Sequence, residues 1–164
     1  MTTHRQKANT HLIAKKLRER ALVEDFLILC PDYRGCVFDS YSENPDLIYQ
    51  INGQKLGFDS IIISKDQDLI NCRFDQKKCQ VSTPGGTEDF GEIVDDLIRT
   101  LFKHLRKYSI PTVLVFSVFD DRIDLKKLAQ SFRLPQFDQL NIKDYYIANK
   151  TNYIKVSENE LSNG

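Results

Sequence analysis

Glu43-Asn44-Pro45-Asp46-Leu47-Ile48-Tyr49-Gln50-Ile51-Asn52-Gly53-Gln54-Lys55-Leu56-Gly57-Phe58-Asp59-Ser60-Ile61-Ile62-Ile63-Ser64 is the stretch whose reading decides the fold. Leu47 to Ile51 alternates and is rich in β formers. Gln54 to Ile63 resumes as a strand and ends in isoleucines. Asn52-Gly53 between two such runs predicts a type I′ hairpin, because that turn needs positive φ at both central positions. A two-residue loop sets the register: Ile51 faces Gln54, Gln50 faces Lys55, Tyr49 faces Leu56, Ile48 faces Gly57 and Leu47 faces Phe58. One further step brings Asp46 opposite Asp59, at a non-hydrogen-bonded position where side chains approach closely.

At such a position the two Cβ atoms lie about 5 Å apart. At an effective dielectric of 20, two carboxylates at that distance repel by roughly 3 kcal/mol. A fold that keeps them together binds a cation, shares a proton or leaves both in water. Mg²⁺ is held by one or two carboxylates with waters and substrate phosphates, so the register points to a metal site. The plain alternative is a pair of aspartates flanking the strands in solvent. A bulge at Gly57 would break the register altogether.

Ahead of the hairpin, Asn9 to Leu29 reads as a helix, with residues 1–8 a flexible start. On a helical wheel Ile13, Ala14, Leu17, Ala21, Leu27 and Ile28 share a face, and Glu24 falls in its middle. A carboxylate aimed at a core is costly unless paired or coordinated. Glu24 therefore either joins an acidic site or pairs with Arg20 at the edge of that face. The helix stops near Cys30-Pro31, Asp32 to Gly35 forms a turn, and Val37 to Tyr41 reads as a first strand leading into the hairpin.

Beyond the hairpin, residues 65–82 carry no clear periodicity. Pro84-Gly85-Gly86 breaks the chain, and Thr87 caps a helix that runs to about Tyr108 on a stripe from Phe90 to Leu105. The two glycines belong to neither phosphate-binding motif and read as a turn. Thr112 to Phe119 is almost wholly apolar, as in a strand covered on both faces. Leu125 to Phe132 is a short helix. Tyr145 to Ala148 and Tyr153 to Val156 are closing strands, and residues 157–164 form a flexible tail.

The 164 residues suit one domain with a full core, and 41% hydrophobic residues suit a globular chain. Twenty-three basic and 23 acidic residues cancel, which argues against a general nucleic-acid coat but leaves room for a local basic face. Lys15, Lys16 and Arg18 on the first helix, and Lys103, Arg106 and Lys107 before the buried strand, are the two candidate faces; either is also an ordinary solvated helix surface. No run approaches the length of a membrane span, and Met1 to Lys7 lacks the apolar core of a secretory signal, so a cytoplasmic location is expected. Cys30, Cys36, Cys72 and Cys79 show no C-x₂-C spacing and read as reduced thiols.

With the elements in this order, Pro45-Asp46, the strand, Asn52-Gly53 and Leu56-Gly57-Phe58-Asp59-Ser60-Ile61 resemble the core of the PD-(D/E)XK, or restriction-endonuclease-like, nucleases. The resemblance implies an α/β fold with a mixed central sheet flanked by helices. It implies Mg²⁺ or Mn²⁺ held by Asp46 and Asp59, with Glu24 as the helix acid, and DNA or RNA as substrate. The lysine of that motif falls on Ile61, a departure; Lys55, on the same face of the strand as Asp59, is its substitute. Three functions follow. The first is a metal-dependent phosphodiesterase. The second is a catalytically inactive nuclease-fold subunit that binds or scaffolds, with a protein partner or a second copy. The third is an unrelated interaction module of the immunity or inhibitor kind, in which the acids are contact residues.

Overall fold

The computed structural model describes residues 4–63, 106–119, 123–130 and 140–156. The predicted hairpin forms strands β2 (Leu47–Ile51) and β3 (Gln54–Ile63). All five cross-strand pairs fall in the expected register, from Ile51 with Gln54 to Leu47 with Phe58. Asn52 and Gly53 take φ values of 51° and 76°, the left-handed pair that a type I′ turn demands.

The ladder runs through Gly57 without a bulge, and the glycine serves close approach instead. A Cβ on Gly57 would stand 2.3 Å from Cγ of Pro45 and 2.5 Å from Oγ1 of Thr112. Its N–H donates to the carbonyl of Pro111. The irregularity lies instead where β1 (Val37–Tyr41) pairs with β2, between Phe38 and Ser40.

β3 is long enough to serve two partners. From Gly57 onward it runs parallel to β4 (Thr112–Val118), every residue of which is buried. β5 (Ile142–Ala148) lies parallel to β4, and β6 (Tyr153–Val156) closes the sheet antiparallel to β5. The result is an open, mixed six-stranded sheet in the order β1-β2-β3-β4-β5-β6. β5 begins three residues earlier than its apolar run suggested. Lys143 and Asp144 interrupt the run, but Asp144 is satisfied by the Tyr33 hydroxyl and by Lys155 at 3.2 Å.

Helix α1 (His4–Leu29) lies over β3 and β4. It starts in the segment expected to fray: residues 4–8 are already helical. Its buried face is not the one expected. Leu22, Val23 and Phe26 are at most 2% exposed, whereas Ile13, Leu17 and Ile28 are exposed, Ile28 at 82%. The helix carries two apolar arcs, and the sheet takes the one bearing Phe26. That ring packs on Tyr146, Tyr33 and Tyr153, with Tyr33 and Tyr49 each set edge-on to Phe58. Aromatic contacts of this kind outweigh what Ile13 and Leu17 would contribute on a solvent-ward turn.

The chain leaves α1 through a 3₁₀ turn at Pro31–Tyr33, and Gly35, at φ 92°, completes the predicted reversal. The opposite face of the sheet carries a second core of Ile63, Leu114, Phe116, Tyr145, Ile147 and neighbours. Helix α2 (Leu125–Gln130) covers part of it with Leu125, Leu128 and Ala129. Asp124 caps α2, its Oδ1 accepting from the amides of Lys126 and Lys127. The expected continuation of α2 to Phe132, residues 87–105 of the helix expected from Thr87, residues 65–82 and the tail at 157–164 lie outside the described residues. Residues 106–108, the expected last turn of that helix, are described and are not helical, the Tyr108 amide donating instead to the Leu140 carbonyl.

Candidate active site

Asp46 immediately precedes β2, and Asp59 sits where β3 passes from one partner strand to the next. The β2–β3 ladder ends at Leu47 with Phe58. The Asp46 amide is thus free of a ladder partner, and it donates to Oδ1 of Asp59 at 2.7 Å. Oδ2 of Asp59 accepts from the hydroxyl of Tyr108 at 2.7 Å. The two aspartates that the register brought together line one cavity of about 750 Å³.

The helix acid in that cavity is Glu19, not Glu24. On a wheel of 100° per residue, Leu22, Phe26, Cys30 and Val23 span about 100°, and Glu19 falls inside that arc. Glu24 lies about 140° from Glu19 on the same wheel. Its Oε1 accepts from the Tyr49 hydroxyl at 2.9 Å and from Nε of Arg20 at 3.4 Å, and the guanidinium packs 3.7 Å from the Phe38 ring centre. The Arg20 pairing, one of the two roles open to Glu24, is the one formed. The misassigned helix face explains the displacement: once Leu22 and Phe26 turn inward, Glu24 is carried away from Asp46 and Asp59.

Lys55 does not reach the acids either. It is exposed near the turn, and four extended residues separate its Cα from that of Asp59 by about 13 Å. The cation beside the acids is Lys15, whose Nζ is 3.7 Å from Oε1 of Glu19. Arg18 and Arg106 line the same cavity. Lys16 turns aside, donating to the Ser42 carbonyl and lying over the Tyr41 ring. Lys107 is exposed and meets this region only through its carbonyl, which accepts from Asn44. Lys103 lies outside the described residues.

Burial dominates the electrostatics. It pushes the Asp59 carboxyl up to about 6, although the hydrogen bonds from Tyr108 and Asp46 pull the other way. It pushes Glu19 up to about 7, helped by the charge of Asp46 and opposed by Lys15. Asp46 is raised as well, chiefly by burial, with Lys15 and Lys16 lowering it. Three carboxyls, each raised chiefly by burial, line one cleft, a pattern common where chemistry is done.

The donor set is all carboxylate oxygen, the chemistry that suits a hard divalent ion. Each Asp59 oxygen keeps a lone pair beyond its one hydrogen bond. Among the described residues, however, no three Asp, Glu, His or Cys side chains form a preassembled ion shell. The residues fit a divalent ion in donor type. Cys30 and Cys36 stand apart as free thiols.

Two residues of this site escaped the sequence. Glu19 carried a readable signal, its place among Leu22, Phe26 and Cys30. Tyr108 carried none, since it is 49 residues from Asp59 and meets it only in three dimensions. No helix among the described residues is long and apolar enough to cross a membrane. Comparison with protein-family models, curated proteins and solved structures finds no match for this chain.

Proposed function

We propose that the chain has a restriction-endonuclease-like, PD-(D/E)XK core and hydrolyses phosphodiester bonds of DNA or RNA with a bound Mg²⁺ or Mn²⁺. The observation that carries this reading is the meeting of Glu19, Asp46 and Asp59, from three separate elements, on one cavity beside Lys15. The order of elements supports it: a helix, three antiparallel strands, and a fourth strand parallel to the third.

Asp46, Asp59 and Glu19 would hold the ion. When bound, it supplies a Lewis acid for the phosphate and an acidified water. Lys15 faces the acids from α1 and would take the place of the motif lysine, for which the sequence offers Lys55. Arg18 and Arg106 on the cavity wall would draw the nucleic-acid backbone in electrostatically.

The test is incubation of the full chain with supercoiled and single-stranded DNA and with RNA, each with and without Mn²⁺. Metal-dependent cleavage is expected, lost in Asp46→Asn and Glu19→Gln and kept in Glu24→Gln. Absence of cleavage together with absence of any Mn²⁺-induced rise in melting temperature would overturn the proposal. One observation favours the inactive, binding version of the same fold: Ile61, at the place of the motif lysine, packs against the core. That version predicts nucleic-acid binding that Mn²⁺ does not convert into cleavage.

A further inference from the structure

We infer that Tyr108 is a positioning residue of this site, fixing the rotamer of Asp59 and thereby the direction in which its carboxylate meets the cavity. The inference rests on the reading of Asp59 as an ion-holding group. An aspartate carboxylate turns about two side-chain bonds, the second with a broad preference, so packing alone seldom sets its plane. Here each oxygen has its own donor. Oδ1 takes the Asp46 amide, which comes with the hairpin. Oδ2 takes the Tyr108 hydroxyl, which comes from the far side of the sheet.

Tyr108 is itself held. It is 3% exposed, and its ring packs in the core on the α2 side of the sheet. Its amide donates to the Leu140 carbonyl at 3.0 Å, and its own carbonyl accepts from Nδ2 of Asn141 at 3.2 Å. Asn141 holds a left-handed φ of 59° just before β5. The residues on either side of Tyr108 are stitched to the other acid's strand. Oγ of Ser109 donates to the Asn44 carbonyl at 2.8 Å, and Nδ2 of Asn44 donates to the Lys107 carbonyl at 3.0 Å. One short segment, 107–109, thus grips the chain two residues before Asp46 and the side chain of Asp59 together. A tyrosine there for packing alone would have no need of a hydroxyl aimed at a carboxylate. Partners that orient a metal ligand are commonly worth 10–100-fold in metal affinity.

Two measurements on the full chain test this, each on wild type, Tyr108→Phe and Tyr49→Phe. Tyr49→Phe is the control, because it removes a buried hydroxyl bonded to Glu24 rather than Asp59. The first measurement uses no metal: the Hα–Hβ couplings of Asp59 by NMR. Wild type and Tyr49→Phe are expected to show the couplings of a single rotamer, and Tyr108→Phe values averaged over rotamers. A folded Tyr108→Phe with wild-type couplings overturns the inference. Should Tyr108→Phe fail to fold, Asn141→Gly decides, since glycine keeps the left-handed backbone and removes only the amide that holds Tyr108. Partial averaging in that variant supports the inference, and unchanged couplings overturn it.

The second measurement is Mn²⁺ affinity by electron paramagnetic resonance. It should weaken about tenfold in Tyr108→Phe and stay unchanged in Tyr49→Phe. A wild type that binds Mn²⁺, with equal affinity in Tyr108→Phe, overturns the inference even if the protein cleaves nucleic acid. A wild type that binds no Mn²⁺ ends the nuclease reading, and the couplings then decide the role of Tyr108 alone.

Discussion

Replacing Glu19 by glutamine should stabilise the protein, and only at higher pH. Glu19 is raised from 4.5 to about 7 by burial and by the charge of Asp46. The sign follows from linkage. Below pH 4.5 the carboxyl is neutral folded or unfolded, and costs nothing. Between 4.5 and 7 the unfolded chain ionises it while the folded chain keeps its proton, so stability falls as pH rises. Above 7 the loss is complete. About 2.5 pK units at 1.36 kcal/mol each gives a ceiling of roughly 3 kcal/mol. The side chain is 13% exposed, so some screening applies, and about 2 kcal/mol is the working value. Glutamine removes that cost. For a chain of this size the gain is about 4–8 °C in melting temperature at pH 8 and close to zero at pH 4.5. The assay is thermal or urea unfolding of wild type and Glu19→Gln across pH 4.5 to 8.5, in chelator. Two curves that run parallel, with a constant difference, would refute the burial of Glu19 beside Asp46. The slope remaining in the variant belongs largely to Asp59, whose carboxyl, near 6, should place it about one pH unit lower.

Mn²⁺ should raise the melting temperature more at pH 8 than at pH 5.5, because protons on Glu19 and Asp59 compete with the ion; differential scanning fluorimetry with and without chelator reads this. At a concentration 100 times its dissociation constant the ion adds about 2.7 kcal/mol, and Glu24→Gln should leave that gain intact. Gly57→Ala should cost about 3 kcal/mol or more, since its methyl meets the Pro45 ring at 2.3 Å and Thr112 at 2.5 Å; a urea midpoint near wild type would contradict the close packing. Phe26→Ala should cost about 3–5 kcal/mol by the same assay, whereas Ile28→Ala, at an 82% exposed position, should stay within about 0.5 kcal/mol.

The hairpin was legible because its rule is local. Asn-Gly admits one tight turn, the turn sets the register, and the register carries Asp46 to Asp59 with no knowledge of the rest of the fold. β1, β4 and β6 were legible for similar reasons, as short runs whose pattern and flanking breaks agree. The α1 face was not. The second half of that helix is apolar almost all round, from Leu22 and Val23 through Phe26 to Ile28 and Leu29, so the wheel offers two arcs. Only the aromatic partners on distant strands, Tyr146 and Tyr153 among them, select one. The choice of arc decides which acid meets the cavity, since a helix turned by about 140° would present Glu24 where the structure has Glu19. Asp144 shows the same limit. It is a polar residue early in a buried strand, and its partners, Tyr33 and Lys155, come from other elements.

Asp59 by itself would not distinguish a working site from a structural clasp. It accepts two donors, one on each oxygen, and asparagine has only one carbonyl oxygen to offer them. A carboxylate is what that geometry needs even if nothing ever binds. Glu19 cannot be explained in this way. Among the described residues it pairs with Lys15, a side chain 72% exposed and 3.7 Å away, and a pair that exposed contributes little. Glutamine would cost less at the same place, and so would leucine, given the apolar arc around it. A half-buried acid set among other acids, with no hydrogen-bond donor to it among the described residues, costs stability, and strongly perturbed acids of this kind are commonest where chemistry is done. The charge of Glu19 is therefore the feature that separates the two readings. If the wild type binds no ion, the acids are a clasp; if it binds one and Glu19→Gln loses it while the fold grows more stable, they are a site.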